Sequence, residues 1–259
     1  MDNLYVDNSD WAAIRITGAD RVRFLNGLTT INVPRMVAGD THWGAILNPK
    51  GRVMSIFELH ADDNHFTLRC EPALTDKTLA LLTRYAVMDE VEFAAHSEVG
   101  YRAWQSPGAP WTARFVTGAA PGPTVTWDSP VATLARIMAG FMKYGIDVGE
   151  DAFPFETPLA HFLDYEKGCY VGQEPVFRVH TLGNASRMLR VVRITGDAEI
   201  VPATPLAHTN RSNAGVLTSC IRNGDHWLAL AYVHRTVIDQ PDGFSVLGRT
   251  ATLHEPAVA

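Results

Sequence analysis

The chain has 259 residues, 46% of them hydrophobic, and a net charge of −6 at pH 7. That apolar content supports a sizeable core in one or two domains, and the lack of a basic tail or Lys/Arg block speaks against nucleic acid as the main partner. No apolar run is long enough to span a bilayer, and the acidic start MDNLYVDNSDW lacks the apolar stretch of a secretory signal, so the expected location is cytoplasmic, with no membrane partner.

Twenty glycines and fifteen prolines imply many turns and few long helices. Trp11–Thr17 reads as a strand broken by Gly18. Asp20 is then placed to cap a helix carrying Val22, Leu25 and Leu28 on one face. His42–Leu47 and Val53–Leu59 are β-prone and flank Asn48-Pro49-Lys50-Gly51, which predicts a hairpin. Phe66, Leu68 and Cys70 alternate with polar residues, as in a half-buried strand. Pro72 opens a helix with Leu74, Leu81, Tyr85 and Met88 as its apolar stripe, and Val91–Phe93 returns as a strand. This order is a mixed α+β pattern, not βαβ alternation.

The Pro- and Gly-rich stretch 105–130 contains WTARFVT and TVTW, which predict strands joined by loops. Leu134–Met142 and Thr157–Glu166 read as helices, the second with Pro158 in its first turn. From about residue 190, five short β-prone runs follow: Met188–Ile194, Gly215–Ile221, Trp227–Val233, Phe244–Leu247 and Ala251–His254. Asn223-Gly224 between two of them predicts a type I′ hairpin, and the spacing predicts a small barrel or sandwich.

The chemistry concentrates in KGCYVGQEPVFRVHTLG, residues 167–183. Gly168 and Gly172 bracket Cys169, permitting a sharp turn after the predicted helix and close approach of another segment. Lys167, Arg178, His180 and Arg187 are near in sequence, and positive charge favours thiolate. Free cysteine is also among the most buried residue types, so the local sequence leaves a reactive thiol and a buried small residue both open. His161 and His180 are within reach of a Cys–His arrangement, but nothing fixes their geometry. The three cysteines, Cys70, Cys169 and Cys220, lie far apart; they form neither a disulfide framework nor a metal-ligand spacing, and no metal site is expected. The glycine-rich phosphate loops are absent.

KGCYVGQE resembles the signature of the YgfZ family, the folate-binding relatives of the glycine-cleavage T-protein (aminomethyltransferase). Lys167, Gly168, Cys169, Tyr170, Gly172, Gln173, Glu174 and Arg178 all match that pattern. ITGADRVRFLNGLTTINV (16–33), ILNPKGRVMSIFEL (46–59) and GVLTS (215–219) resemble further family landmarks, with the likeness weakest across 95–130.

The resemblance implies an α+β fold. Two related antiparallel-sheet halves form a folate-binding body over 1–189, and a small C-terminal β-barrel covers 190–259. It implies tetrahydrofolate or a one-carbon derivative in a central cleft, and a role with iron–sulfur client or assembly proteins that uses Cys169 rather than a defined turnover reaction. The other motif residues would support that thiol. Arg136, Lys143, Arg178 and Arg187 are candidates for the folate's glutamate tail, and Trp43, Phe57 and Tyr85 for its pterin. The alternative is a folate-dependent aminomethyltransferase. Against it stand Ala94 and Ala95 in VEFAAHSE, where the transferases carry an aspartate. A non-catalytic module, whose motif only closes an interface, is the third reading.

Overall fold

The computed structural model describes residues 3–104, 115–183, 185–240 and 242–256. In chain order the strands and helices are β1 (Leu4–Asp7), β2 (Ala12–Thr17), α1 (Arg21–Leu28), β3 (Thr41–Leu47), β4 (Val53–Ala61), β5 (Phe66–Cys70), α2 (Thr75–Tyr85), β6 (Glu92–Ser97), β7 (Gly100–Trp104), β8 (Phe115–Thr117), β9 (Thr124–Thr126), α3 (Pro130–Ala139) and α4 (Gln173–Leu182). The remaining strands are β10 (Arg187–Thr195), β11 (Pro205–His208), β12 (Arg211–Asn223), β13 (His226–His234), β14 (Phe244–Val246) and β15 (Arg249–His254).

They form the expected α+β architecture. A five-stranded antiparallel sheet has the order β3-β4-β5-β2-β6, and a four-stranded sheet the order β8-β7-β1-β9. The second sheet is not wholly antiparallel, because β1 and β9 pair in parallel. β10 to β15 close into a barrel of order β10-β13-β12-β11-β14-β15. Alternation along β10 and β13 serves two cores at once. Leu189, Val191, Leu228, Leu230 and Tyr232 join the core of the body, while Val192, Ile194, Ala229, Ala231 and Val233 fill the barrel.

Between the two sheets lies an aromatic cluster. Trp11, Trp43, Trp104, Trp127 and Phe141 are all buried, with Trp43 and Phe141 ring centroids 5.2 Å apart and Trp104 stacked on Trp127 at 6.0 Å. The buried Arg102 lies over the Trp11 and Trp43 rings and pairs with Glu58 at 2.5 Å.

The 46–59 hairpin forms as predicted. Asn48 Oδ1 accepts from the backbone N–H of Lys50 and Arg52, and Gly51 takes a positive φ of 76°. The other hairpin differs. Asn223 ends β12, and Gly224 and Asp225 form the loop; only Gly224 has a positive φ, so the turn is not the type I′ expected. Asp20 does not cap α1. Its carboxylate instead accepts from Glu90 N at 2.9 Å and pairs with Arg23. Ser129 caps α3, which begins four residues before the expected start. The helix expected over Thr157–Glu166 is absent. Pro154 and Pro158 each start a short turn of 3-10 helix, Pro154–Glu156 and Pro158–Phe162, and the chain then extends. Of WTARFVT, only Phe115–Thr117 lies within the described residues, as β8.

Candidate functional site

The three body segments singled out in the sequence converge. The end of α1 and the residues after it present backbone carbonyls, and Lys167 answers them. Its Nζ donates to Asn26 O at 2.8 Å, Thr29 O at 2.6 Å and Ile31 O at 2.6 Å. The Tyr170 ring lies 4.7 Å below the same ammonium. Burial pushes the Lys167 pKa down to about 7, with Asp164 opposing that shift. Three carbonyl acceptors require three N–H donors, so the cradle itself favours the protonated form.

The rest of the motif clamps onto the hairpin turn. Val171 N donates to Gly27 O at 3.1 Å. Gly172 has φ 81° and runs against the turn; a Cβ there would sit 2.4 Å from Asn48 O. Gly51 faces it, and a Cβ on Gly51 would sit 2.6 Å from Pro175. Gly172 then starts α4, a helix not expected from the sequence. The motif therefore lies on a loop before a helix, not on a turn after one. Gln173 closes the loop, with its Oε1 accepting from Tyr170 N at 3.3 Å. Tyr170 is buried, and burial raises its hydroxyl to about 12.

Within this locked loop Cys169 is exposed, as is Gly168. Cys70 is buried and its thiol is pushed up to about 11; Cys220 is half-buried and pushed up to about 12. The cations near Cys169 in sequence are largely engaged elsewhere. Lys167 holds its carbonyls, His180 stacks on Tyr165 with centroids 3.6 Å apart, and Arg187 pairs with Glu156 at 3.3 Å and Asp151 at 3.2 Å over the Tyr232 ring. Arg178 and Glu174 are exposed on α4.

An open cleft of about 640 Å³ lies beside the loop. Trp43, Phe162, Leu163 and Tyr165 give it apolar walls; Asn32, Arg35, His42, His161, Asp164, Glu166 and His180 give it polar ones. Asp164 is its best-ordered group. One carboxylate oxygen accepts from Glu166 N and Lys167 N at 2.8 and 2.9 Å, and the other from Asn32 Nδ2 at 2.8 Å. These bonds, with Arg35 at 3.8 Å, hold its pKa below the usual range despite partial burial. Sequence reasoning missed Asn32, Arg35, Asp164 and Tyr165. The signal was available: Asp164 and Tyr165 lie three and two residues before Lys167, and Asn32 lies inside the 16–33 landmark. No group of three or more His, Cys, Asp or Glu with metal-binding geometry occurs among the described residues.

The suggested tail cations are not in this cleft. Arg136 is buried and saturated by Asp147 at 2.7 Å, Ser219 at 2.7 Å and Phe141 O at 3.1 Å. Lys143 pairs with Asp128, and Arg187 is committed as above. All three brace the body against the barrel or its own loops, because each finds a carboxylate within reach. Of the suggested pterin contacts, Trp43 lines the cleft and Phe57 is fully buried. Tyr85 lines a separate 250 Å³ hollow with Phe24, Leu28 and Val171. Ala94 and Ala95 are exposed on β6, opposite Arg15 and Ile14. Glu98 is held by Arg69 at 2.6 Å and His96 at 3.2 Å, while Glu92 is exposed.

Comparison with known proteins fits this geometry. No protein-family model matches the chain. The tRNA-modifying protein YgfZ of Aliivibrio fischeri is 23% identical over 86% of this chain and 82% of its own length. A YgfZ protein of Escherichia coli is 26% identical over 74% of this chain and 72% of its own length. The chain resembles the YgfZ proteins over most of its length. An uncharacterized protein of Haemophilus influenzae is 24% identical over 94% of this chain and 93% of its own. Among solved structures, the glycine cleavage system aminomethyltransferase T from Bartonella henselae superposes with a TM-score of 0.79. That match has 17% identity and covers 98% of this chain and 86% of that one. The two share the fold.

No helix among the described residues is long and apolar enough to cross a membrane.

Proposed function

We propose that this protein is a folate-binding accessory factor for the assembly or repair of iron–sulfur clusters in client enzymes, with Cys169 as its working thiol and a cytoplasmic location. One observation carries the reading. Lys167, Gly172 and Gln173 fix a loop, residues 167–172, whose exposed side chain is the Cys169 thiol, three residues beyond Glu166 on the rim of the 640 Å³ cleft. A core cysteine needs no such exposure, and a packing motif needs no thiol.

The cleft fits a reduced folate. Its volume lies within the roughly 300–1,000 Å³ usual for small-molecule sites. A pterin presents an exocyclic amine and ring N–H groups; Asp164 and Glu166 are carboxylate acceptors for them, and Trp43, Phe162 and Tyr165 offer flat apolar surface. Arg35, exposed at the rim, is the cation there and pairs loosely with Asp164 at 3.8 Å and Glu166 at 3.5 Å. Bound there, a folate supplies one-carbon carriage or reducing capacity close to the thiol. The protein's own part is to orient it, through Asp164 held by Asn32 and two backbone N–H groups.

The relatives carry the name tRNA-modifying, yet this chain is acidic and has no basic block. We read that link as running through a client enzyme rather than through RNA contact. The aminomethyltransferase alternative shares the fold but lacks its acid: Ala94 and Ala95 occupy that stretch, and the neighbouring Glu98 is tied to Arg69. Two measurements test the proposal. Calorimetry with tetrahydrofolate and its methylene and formyl derivatives is expected to show binding; no heat with any of them removes the ligand. A Cys169→Ser variant is expected to fold normally and fail to restore client iron–sulfur enzyme activity in cells lacking the protein; full restoration removes the thiol's role.

A further inference from the structure

The hollow of about 250 Å³ beside Tyr85 shares no lining residue with the cleft, yet both adjoin the motif loop. The cleft takes Glu166 from one end of that loop, and the hollow takes Val171 from the other. Cys169 stands between them, its Cα within about 7 Å of Val171 by chain reach alone. Gly168 touches the same wall: a Cβ there would lie 3.7 Å from Asn26 Nδ2, and Asn26 adjoins the lining residue Gly27. Phe24 and Leu28, both buried, and the half-buried Tyr85 and Val171 make the hollow apolar. Gly27 leaves it open, since a Cβ there would meet no atom within 4 Å. Between Tyr85 and Asp89, which both line it, the chain leaves Val87 78% and Met88 89% exposed. α2 ends at Tyr85, so the fold makes no use of the apolar Met88. The edge is charged. Arg23 pairs with Asp89 at 2.7 Å and Asp20 at 3.2 Å, and Arg21 is turned onto Gly18 O. Glu90 and Glu92 follow, both exposed and without an ion pair among the described residues. Four carboxylates thus face Arg21, Arg23 and the exposed Arg84, which leaves the edge net negative.

We propose that this hollow is the socket by which a client protein docks. It takes one large apolar side chain from a segment that carries Lys or Arg beside it, and so holds that segment against Cys169. The inference rests on the reading of Cys169 as a thiol that works on a client protein. Size favours a side chain: the hollow is below the roughly 300–1,000 Å³ of small-molecule sites and has room for one anchor. Its make-up is that of an interface centre, with an aromatic ring and aliphatic walls inside and charges at the edge. The exposed Met88 adds a flexible, polarizable flap that adapts to different anchors. The unpaired Glu90 and Glu92 select a basic neighbour over an acidic one.

The test is reversible disulfide tethering at Cys169 with three synthetic peptides, Cys-Gly-Phe-Lys, Cys-Gly-Ala-Lys and Cys-Gly-Phe-Glu, each supplied as a disulfide with cysteamine. The Cys169 thiolate attacks the peptide sulfur and releases cysteamine as its thiol; added cysteamine keeps the exchange at equilibrium. The occupancy of Cys169, read by mass spectrometry, then reports docking beside it. The Phe-Lys peptide is expected to exceed Ala-Lys by about tenfold and Phe-Glu by about threefold, the second margin shrinking with salt. Gly27→Phe places a ring in the hollow and should erase the preference for Phe while leaving Cys169 reactive to iodoacetamide. The exposed pair Val87→Ser and Met88→Ser should reduce the same preference, and keeps the test open if Gly27→Phe folds poorly. Glu90→Gln with Glu92→Gln should erase only the preference for Lys. Equal occupancy by all three peptides in the wild type overturns the socket and leaves the thiol reading standing. A preference for Phe that survives in both hollow variants overturns it too, since the anchor then binds elsewhere. Equal occupancy by Phe-Lys and Phe-Glu overturns the basic partner. A wild type that is dimeric, and monomeric as Gly27→Phe, gives the hollow to a second copy and overturns the proposal. No mixed disulfide with any peptide overturns both the socket and the thiol.

Discussion

Replacing Lys167 by methionine tests whether the motif is an anchor. Methionine keeps the length and the apolar stem but removes all three N–H donors. Val33 N remains on Ile31 O, so the loss concentrates on the Asn26 and Thr29 carbonyls. A buried acceptor left without a donor costs roughly 1–3 kcal/mol. An opposing term exists, because methionine also escapes the desolvation that pushes the lysine down to about 7. Removing one side of a buried, fully paired charge site is nevertheless destabilising, and here the net is about 2–4 kcal/mol. For a chain of this size that lowers Tm by roughly 5–15 °C. Lys167→Arg should not rescue it, because a planar guanidinium cannot aim three donors at carbonyls gathered around one atom. The assay is thermal unfolding of the three proteins by circular dichroism. A Lys167→Met protein melting within about 1 °C of wild type would refute the reasoning.

Two further outcomes follow from the titrating groups. Glu71 is buried, and burial raises it from 4.5 to about 7. Its folded pKa lies above the unfolded one, so its contribution is full below pH 4.5 and is lost as pH rises to 7; Glu71→Gln should therefore stabilise the protein at pH 8 by up to about 3 kcal/mol and lose that advantage at pH 5, measured by urea unfolding. Among the thiols, Cys169 should react with iodoacetamide in the folded protein well before Cys70 and Cys220, followed by mass spectrometry; equal protection of all three would show that Cys169 is not accessible.

The legible parts were those in which a short-range rule coincided with the tertiary outcome. The Asn48–Gly51 turn needed no partner to be read; the strand over Phe66–Cys70 was read too, but as half-buried, whereas all five of its residues are buried, Arg69 through its pair with Glu98. α4 was missed because it follows Gly172, carries Pro175 in its first turn and buries only Val176, so it shows no apolar stripe. The helix over Thr157–Glu166 was expected from its apolar spacing, but only the 3-10 turn Pro158–Phe162 forms there before the chain extends at Leu163. Arg102 did leave a trace: Gly100, Arg102 and Trp104 alternate on the buried face of β7, and an arginine in that pattern marks a buried pair, here with Glu58.

The site residues were harder for a physical reason. A cation's role depends on its counter-charge, and counter-charges come from anywhere in the chain. Arg136 is satisfied by Asp147 eleven positions on and by Ser219 eighty-three positions on, so no window of sequence could show that it was spent. The motif is the opposite case. Lys167, Gly172 and Gln173 are each explained locally, by three carbonyls at and after the end of α1, by the hairpin turn and by Tyr170 N respectively. Each of those contacts fixes backbone, and none of them uses the Cys169 thiol. Glu174 and Arg178 are exposed as well, but on α4; within the loop 167–172 the exposed side chain is Cys169, and a loop fixed in this way is built to present it. Substituting the anchors should therefore disturb stability and the thiol's presentation together, whereas substituting the cysteine should disturb function alone.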